Sequence, residues 1–541
     1  MWASEGSIIG SGWLFGALGA LELAGPAAVL AWAGASVIVI LLALVHAELG
    51  GLFPVTGGTS RFPHYAFGSL AGGTFGWFAY IQAASVAPIE VLAAVQYFST
   101  VSWASHWYNG SKGTLSGWGI LVAVALMVIF VTLNLVGVRW LARANSSLTT
   151  WKVLIPVLTI VILMLTHFHS SNFSADGGFF FSSGGAAKNI LKAVTGGGIV
   201  FSLLGFEQAV QLGGESRNPQ RDLPRAVIGS IIIGSLVYIL VQVAFIGGLK
   251  PSDLIEYKTW PGLAKDSLLS AGPFYTVAQI AGLAWLATVL RIDAVISPSG
   301  TGLIYLTSAS RISYGLSRNG YIPSAFERPA PKTKIPVFGV IFSSIVGLLF
   351  LLPFPSWGKL VGIVTGASVL MYAGAPLALG ALRKSKPDLE RSYRLPAGHI
   401  ISPLAFVGAN FIVYWAGWNT YSTLMLVMLI GYALMIISAK LKLNPNQPKV
   451  DWIAAKWIFP YLIGMGLISY FGGFGQSGII AGLGPFKNLL VGGNGDLPLW
   501  WDLLVLAVFS LGIYFWAIQN RLPEADVDRY VADVYPPPVA E

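Results

Sequence analysis

Apolar runs of about 20 residues recur from one end of the chain to the other, each long enough to cross a hydrocarbon core of roughly 30 Å. Inside lipid every backbone N–H and C=O must be paired within the protein, which leaves helices or a closed barrel. The runs are continuous and lack the period-two alternation of barrel strands, so the sequence predicts helices. Hydrophobic residues fill 55% of the 541 positions, charged residues only 10%, and the mean hydropathy is +0.70. Soluble domains carry roughly 25% charged residues, so a soluble core does not account for this chain. The predicted spans lie near 7–23, 27–49, 68–98, 117–136, 147–165, 188–213 and 226–249, then 274–306, 336–352, 360–382, 402–418, 422–437, 457–471 and 500–516. That makes about fourteen in an all-α polytopic membrane protein.

Lysine and arginine total 32 against 23 acids, for a net charge of +9. An even number of spans puts both termini on one side. The basic residues gather in the loops of that side, around 139–152, 217–225, 311–334, 383–394 and 440–456, and are sparse in the opposite loops. The excess is an orientation signal, which predicts cytoplasmic termini in the cell (inner) membrane and no nucleic-acid partner. The absence of cysteine rules out disulfides and thiolate metal sites, and no metal or cofactor is expected. The first residues lack the basic segment and cleavage site of a signal peptide. No long hydrophilic insertion divides the chain, and the proline-rich tail after Asn520 is expected to be disordered.

Two spans are poor continuous helices. The first reads Gly6-Ser7-Ile8-Ile9-Gly10-Ser11-Gly12, and the sixth runs from Thr195-Gly196-Gly197-Gly198 to Gly205-Phe206-Glu207. Glycines in membrane helices also serve close packing. Their clustering in two spans five apart points instead to a five-plus-five inverted-repeat transporter with a site near the bilayer midplane. Amides freed by such breaks hold a carboxylate and freed carbonyls an ammonium, which suits the common part of an amino acid.

Four segments then resemble the amino acid, polyamine and organocation (APC) superfamily of transporters. They are Gly10-Ser11-Gly12; Ala47-Glu48-Leu49-Gly50 with Phe53-Pro54-Val55-Thr56-Gly57-Gly58; Gly205-Phe206-Glu207 with Gly214-Glu215-Ser216-Arg217-Asn218-Pro219 and Arg221-Asp222-Leu223-Pro224-Arg225-Ala226; and Ser310-Arg311 with Tyr314 and 317–323. The stretches 353–357 and 412–418 are similar to its bacterial aspartate and glutamate proton symporters, which carry extra spans beyond twelve. The resemblance implies a transport core over 1–382, accessory spans over 383–518 and a short cytoplasmic tail over 519–541. It implies that the amides of Gly10, Ser11 and Gly12 meet the substrate α-carboxylate. The carbonyls of Ile8, Phe201 and Leu204 then take the α-ammonium, and Gly205 belongs to the same stretch. Members of the superfamily carry further residues ahead of the first-span motif, whereas only Met1 to Gly6 precede it here, so the expectation is either a start assigned too late, which is favoured, or a missing first half of span one.

A charge at the bilayer centre costs roughly 3 kcal/mol and needs a reason. Lys152, placed about two turns into span five, is either a snorkelling end charge or, by resemblance, a fixed or titrating ammonium where sodium-coupled relatives of the fold hold an ion. Ser297 faces the same place by resemblance. Glu207 follows the span-six break and is either a proton-sensitive gate or a carboxylate capping nearby amides. Glu90 either carries the proton or holds spans together. Arg291 and Asp293, two residues apart, lie on different helix faces. Arg291 meets either an acidic substrate side chain or another buried acid. His46 and His64 flank spans and are read as interfacial. The leading expectation is a proton-coupled amino acid importer preferring acidic substrates. An amino acid or polyamine exchanger and a transporter-like sensor are the alternatives, while no His-Glu-x-x-His or nucleophile-elbow pattern suggests an enzyme.

Overall fold

The computed structural model describes the backbone of all residues except 1, 137, 176, 181–184, 251–258, 331–334, 352–355, 477–489, 533 and 535–541. Residues 353–355 of the symporter-like stretch and the last residues of the tail therefore lie outside the described residues.

The predicted spans are helical. The first is split into α1 (Trp2–Ile8) and α2 (Gly12–Ala24), followed by α3 (Ala28–Leu52), α4 (Ser69–Phe98), α5 (Gly117–Val136) and α6 (Val138–Thr166). The sixth is divided into α7 (Ala186–Gly196), α8 (Ile199–Leu203) and α9 (Gln208–Gln211). After α10 (Pro219–Gly248) come α11 (Pro273–Ile280), α12 (Ala284–Arg318), α13 (Val337–Leu351) and α14 (Trp357–Ser385). The chain continues with α15 (Gly398–Trp415), α16 (Gly417–Lys440), α17 (Ile458–Phe471), α18 (Leu499–Gln519) and α19 (Glu524–Val531). Among the described residues, ten stretches, the first covering 12–52 as one, are long and apolar enough to cross a membrane. The divided sixth span, the polar α12 and the 15-residue α13 fall outside that measure and the first two spans count as one, which is why it yields fewer than the fourteen read from sequence.

Two long antiparallel pairs organise the core: α3 packs along α10, and α4 along α12. The first pair carries α1, α2 and the divided sixth span against it, and α14 lies across α3 and α4. Between the pairs the side chains of α4 are buried along nearly its whole length. The later helices brace this core, α15 against α3 and α14, and α16 against α4.

Several boundaries differ from the sequence reading. The eighth span is not continuous from 274, because Gly282 takes a left-handed φ of 74° and separates α11 from α12. A glycine adopts that backbone without the Cβ penalty that would stop other residues. The helix α6 begins at Val138, well before 147, and α10 begins at Pro219 with Pro224 in its first turns, so the Arg221 to Arg225 motif is helical. The tail is not disordered up to Val531. Helix α19 is pinned by Lys386 to Glu524 and Asp528 at 2.9 and 2.6 Å, and Leu522 N–H donates to the Ala66 carbonyl at 3.0 Å. The same segment packs Tyr530 edge-on against His64, with ring centroids 4.3 Å apart.

Candidate functional site

The two interruptions cross each other. In the first span the helix stops at Ile8 and restarts at Gly12; in the sixth, Leu204 turns extended (ψ 152°) and Gly205 takes φ 123°. A Cβ on Gly205 would sit 2.7 Å from the Ile8 nitrogen, and one on Gly12 would sit 2.8 Å from the Ser202 Cα. Backbone therefore meets backbone, an approach that only residues without a side chain allow. Ile8, Gly10, Gly12, Phe201 and Leu204 line one enclosed cavity of about 10 Å³, together with Glu90, Thr301 and Tyr305. That is room for a water molecule and not for an amino acid, so substrate entry requires the surrounding side chains to move.

The amide cradle is already engaged. Ser11 N–H donates to Glu90 Oε2 at 2.8 Å, and its hydroxyl donates to Oε1 at 3.1 Å. The carboxylate of α4 thus holds the amide that the resemblance assigns to a substrate carboxylate. The Ile8 carbonyl accepts the Tyr238 hydroxyl at 2.7 Å, so this assigned ammonium acceptor also has a protein partner. Trp357, at the start of α14, closes one side. Its indole N–H donates to Ser11 Oγ at 2.9 Å, and its ring stands edge-on to Phe201 at 5.8 Å.

Lys152 is buried rather than snorkelling, at 1% exposure. Its ammonium donates to the Gly6 carbonyl near the end of α1 and, at 2.7 Å, to Thr301 Oγ1 on α12. It bridges the interrupted first span, α6 and α12, the position that the resemblance gives to an ion. Ser297 is not its partner. That hydroxyl donates to Asp293 Oδ1 at 2.6 Å, one turn along the same helix. Asp293 also accepts the indole N–H groups of Trp13 and Trp151 at 3.1 and 2.9 Å, so it is a polar anchor in the core and does not line the cavity. Glu90, Lys152 and Asp293 are all buried, which places two carboxylates and one ammonium in a low-dielectric interior.

Glu207 is a hub. Its carboxylate accepts from Gln82 Nε2 (3.2 Å), Gln208 Nε2 (2.9 Å), Tyr305 OH (3.1 Å), Gly205 N–H (2.9 Å) and Tyr372 OH (2.5 Å). These donors come from α4, α9, α12, α14 and the break itself, so the side chain ties the interrupted sixth span to three other helices. Arg291 lies elsewhere, half-buried beneath Thr100 and Tyr275. It donates to the Thr100 carbonyl and hydroxyl at 2.6 and 3.1 Å and rides 4.0 Å over the Tyr275 ring. It meets neither the cavity nor a buried acid among the described residues.

Both histidines read as interfacial are buried. His46 packs edge-on to Phe206 and Tyr372, 5.4 and 5.3 Å away, and shares a 2.7 Å hydrogen bond with the Leu42 carbonyl. His64 pairs with Tyr321 OH at 2.6 Å. Sequence position near a span end gives depth but not the face a side chain occupies, and both rings point into helix contacts.

Sequence reasoning missed Thr301, Tyr305, Tyr238, Tyr372 and Trp357. One signal was present: Asp293, Ser297, Thr301 and Tyr305 recur every four residues and so share one face of α12. The residues on the partner helices carry no such periodicity.

Crossed helix interruptions around a small polar cavity, set in a bundle of apolar helices, define a multi-pass membrane transporter of the broken-helix class. The chain belongs to the amino acid permease family, whose model matches residues 1–436. It is therefore a permease rather than an enzyme. It is 36% identical to the glutamate/serine transporter AimA of Bacillus subtilis over 96% of this chain and 92% of that protein. It is 35% identical to the aspartate-proton symporter of the same organism over 97% of this chain and 95% of that protein. To the branched-chain amino acid permease BcaP of B. subtilis it is 25% identical, covering 82% and 92%.

Proposed function

We propose that this permease imports an amino acid together with a proton, with acidic amino acids as preferred substrates, across the cell membrane and with both termini in the cytoplasm. The observation that carries the reading is the buried Lys152 ammonium bound between the Gly6 carbonyl and Thr301. A cation fixed there closes α1 against α6 and α12 without a metal ion. Loss of its proton would release that contact, which couples protonation to the rocking of one bundle against the other. The pairing of α3 with α10 and of α4 with α12, each five spans apart, supports the five-plus-five arrangement over 1–382, with 383–518 as bracing helices.

Glu90 supplies the link between proton and substrate. An arriving α-carboxylate competes with it for the Ser11 amide, and two carboxylates in one buried cradle favour binding a proton. The preference for acidic substrates rests on the relatives, one named for glutamate and serine and one for aspartate and protons. Arg291 contributes no contact to the cavity in this conformation.

The test is uptake of labelled L-glutamate and L-aspartate into proteoliposomes under an imposed pH gradient, with and without internal substrate. Gradient-driven accumulation into empty vesicles is expected, and Lys152→Ala should abolish it while substrate binding stays measurable. Accumulation by preloaded vesicles alone would replace symport with exchange. Competition by unlabelled serine, leucine, arginine and putrescine fixes the substrate class.

A further inference from the structure

Away from the transport site, the cleft between α4, α16 and the segment leading into α17 encloses an apolar cavity of about 340 Å³, within the range of roughly 300–1,000 Å³ that ligand pockets occupy. Leu70, Met435, Ile436, Val450, Trp452 and Phe459 form its walls. Three of the polar groups that reach it are already paired, while Gln447 and the Trp452 indole stand at its exposed rim. Tyr321 OH bonds His64, Tyr432 OH bonds Thr74 at 2.8 Å, and Ser69 Oγ donates to the Lys449 carbonyl at 2.7 Å. The interior wall therefore offers mostly hydrocarbon contact, which suits an acyl chain better than a polar solute. Ile436, Val450 and Trp452 are at least half exposed, so the cavity opens outward where bilayer lipid lies.

Its mouth is basic. Lys440 follows lining residue Ala439, Lys449 stands between lining residues Pro448 and Val450, and Lys442 and Lys456 flank them on the same loop and helix ends. All four are exposed and none forms an ion pair among the described residues. The nearby acid, Asp451, is turned inward, accepting from Ser69 N–H at 2.8 Å and Tyr530 OH at 2.7 Å. We propose that this cleft is a binding site for an anionic phospholipid, with one acyl chain in the cavity and the headgroup on the lysine cluster, where each lysine strengthens binding about fivefold.

The full-length protein, purified in detergent, is titrated with phosphatidylglycerol or phosphatidylcholine, and bound lipid is counted by native mass spectrometry. Phosphatidylglycerol should be retained in preference, and replacing Lys440, Lys442, Lys449 and Lys456 together by alanine should erase that preference. Ala439→Phe, which fills the cavity, should lower retention of both lipids by about tenfold or more. Equal retention of the two lipids by the unaltered protein overturns the headgroup assignment. Unchanged retention in Ala439→Phe, or closure of this face by a second copy of the chain, overturns the cavity assignment. Monodispersity of each variant on size exclusion separates loss of lipid from loss of fold.

Discussion

Replacing Thr301 by valine tests the coupling geometry at a single atom. The change keeps the β-branched shape and removes only the hydroxyl, which accepts from the Lys152 ammonium at 2.7 Å and donates to the Gly6 carbonyl at 3.1 Å. A hydrogen bond to a charged group contributes about 1.5–3 kcal/mol, and a buried donor left with one fewer partner costs a similar amount. The state in which α1 is closed against α12 should therefore lose about 10- to 150-fold in population. The assay compares accumulation driven by a pH gradient with counterflow between equal internal and external substrate, which needs no gradient. Thr301→Val should cut accumulation by about tenfold or more and spare counterflow, and Thr301→Ser should restore it. Ser297→Ala is the control, because its hydroxyl serves Asp293 Oδ1, which keeps the Trp151 indole; it should cost no more than about fivefold. If Thr301→Val accumulates like the unaltered protein while Ser297→Ala fails, the ammonium is held at Ser297 and the geometry argued from Lys152 is wrong.

Glu48 is fully buried and receives Arg383, Arg391 (3.0 Å) and the Leu395 N–H (2.7 Å), so Glu48→Gln should destabilise the fold by about 3–5 kcal/mol, read as an earlier thermal unfolding in detergent; an unshifted transition would show the cluster to be energetically idle. Gly205→Ala forces a left-handed backbone and a Cβ within 2.7 Å of the Ile8 nitrogen, and should cost at least the 1–3 kcal/mol of a strained residue together with most uptake. Burial first, then Arg61 and Arg529, push the His64 imidazole, in the connection between α3 and α4, from 6.5 down to about 3. The folded state keeps it neutral while the unfolded chain takes up a proton below pH 6.5, so the protein should be fully stable above that value and lose about 2 kcal/mol by pH 5. His64→Asn should flatten that part of the pH profile, and an unchanged slope would place the acid sensitivity elsewhere.

Much of the architecture was legible because bilayer solvation leaves a chain few choices. Uninterrupted apolar runs become helices, and glycine clusters mark where two of them break, since those are the segments that cannot pay the backbone cost of a regular helix with side-chain packing. The glycines at 10 and 12 and the break before Glu207 were therefore read correctly as places where helix stops. The divided eighth span was missed because a single glycine, Gly282, left the hydropathy of the segment intact. The ordered tail was missed because composition near Asn520 reports polarity and not the Lys386 and His64 surfaces that receive it.

The sequence by itself determined that the chain lives in a membrane, where its helices run, which two are broken, and which buried charges need an explanation. Tertiary structure alone decided which of those charges meet. It put Thr301 rather than Ser297 beside Lys152, gave the Ser11 amide to Glu90, took Arg291 out of the cavity to Thr100, and turned both histidines inward. The physical reason is that hydropathy and helical period fix depth and face within one helix, whereas a hydrogen bond between helices depends on their relative rotation and register, which no single segment encodes.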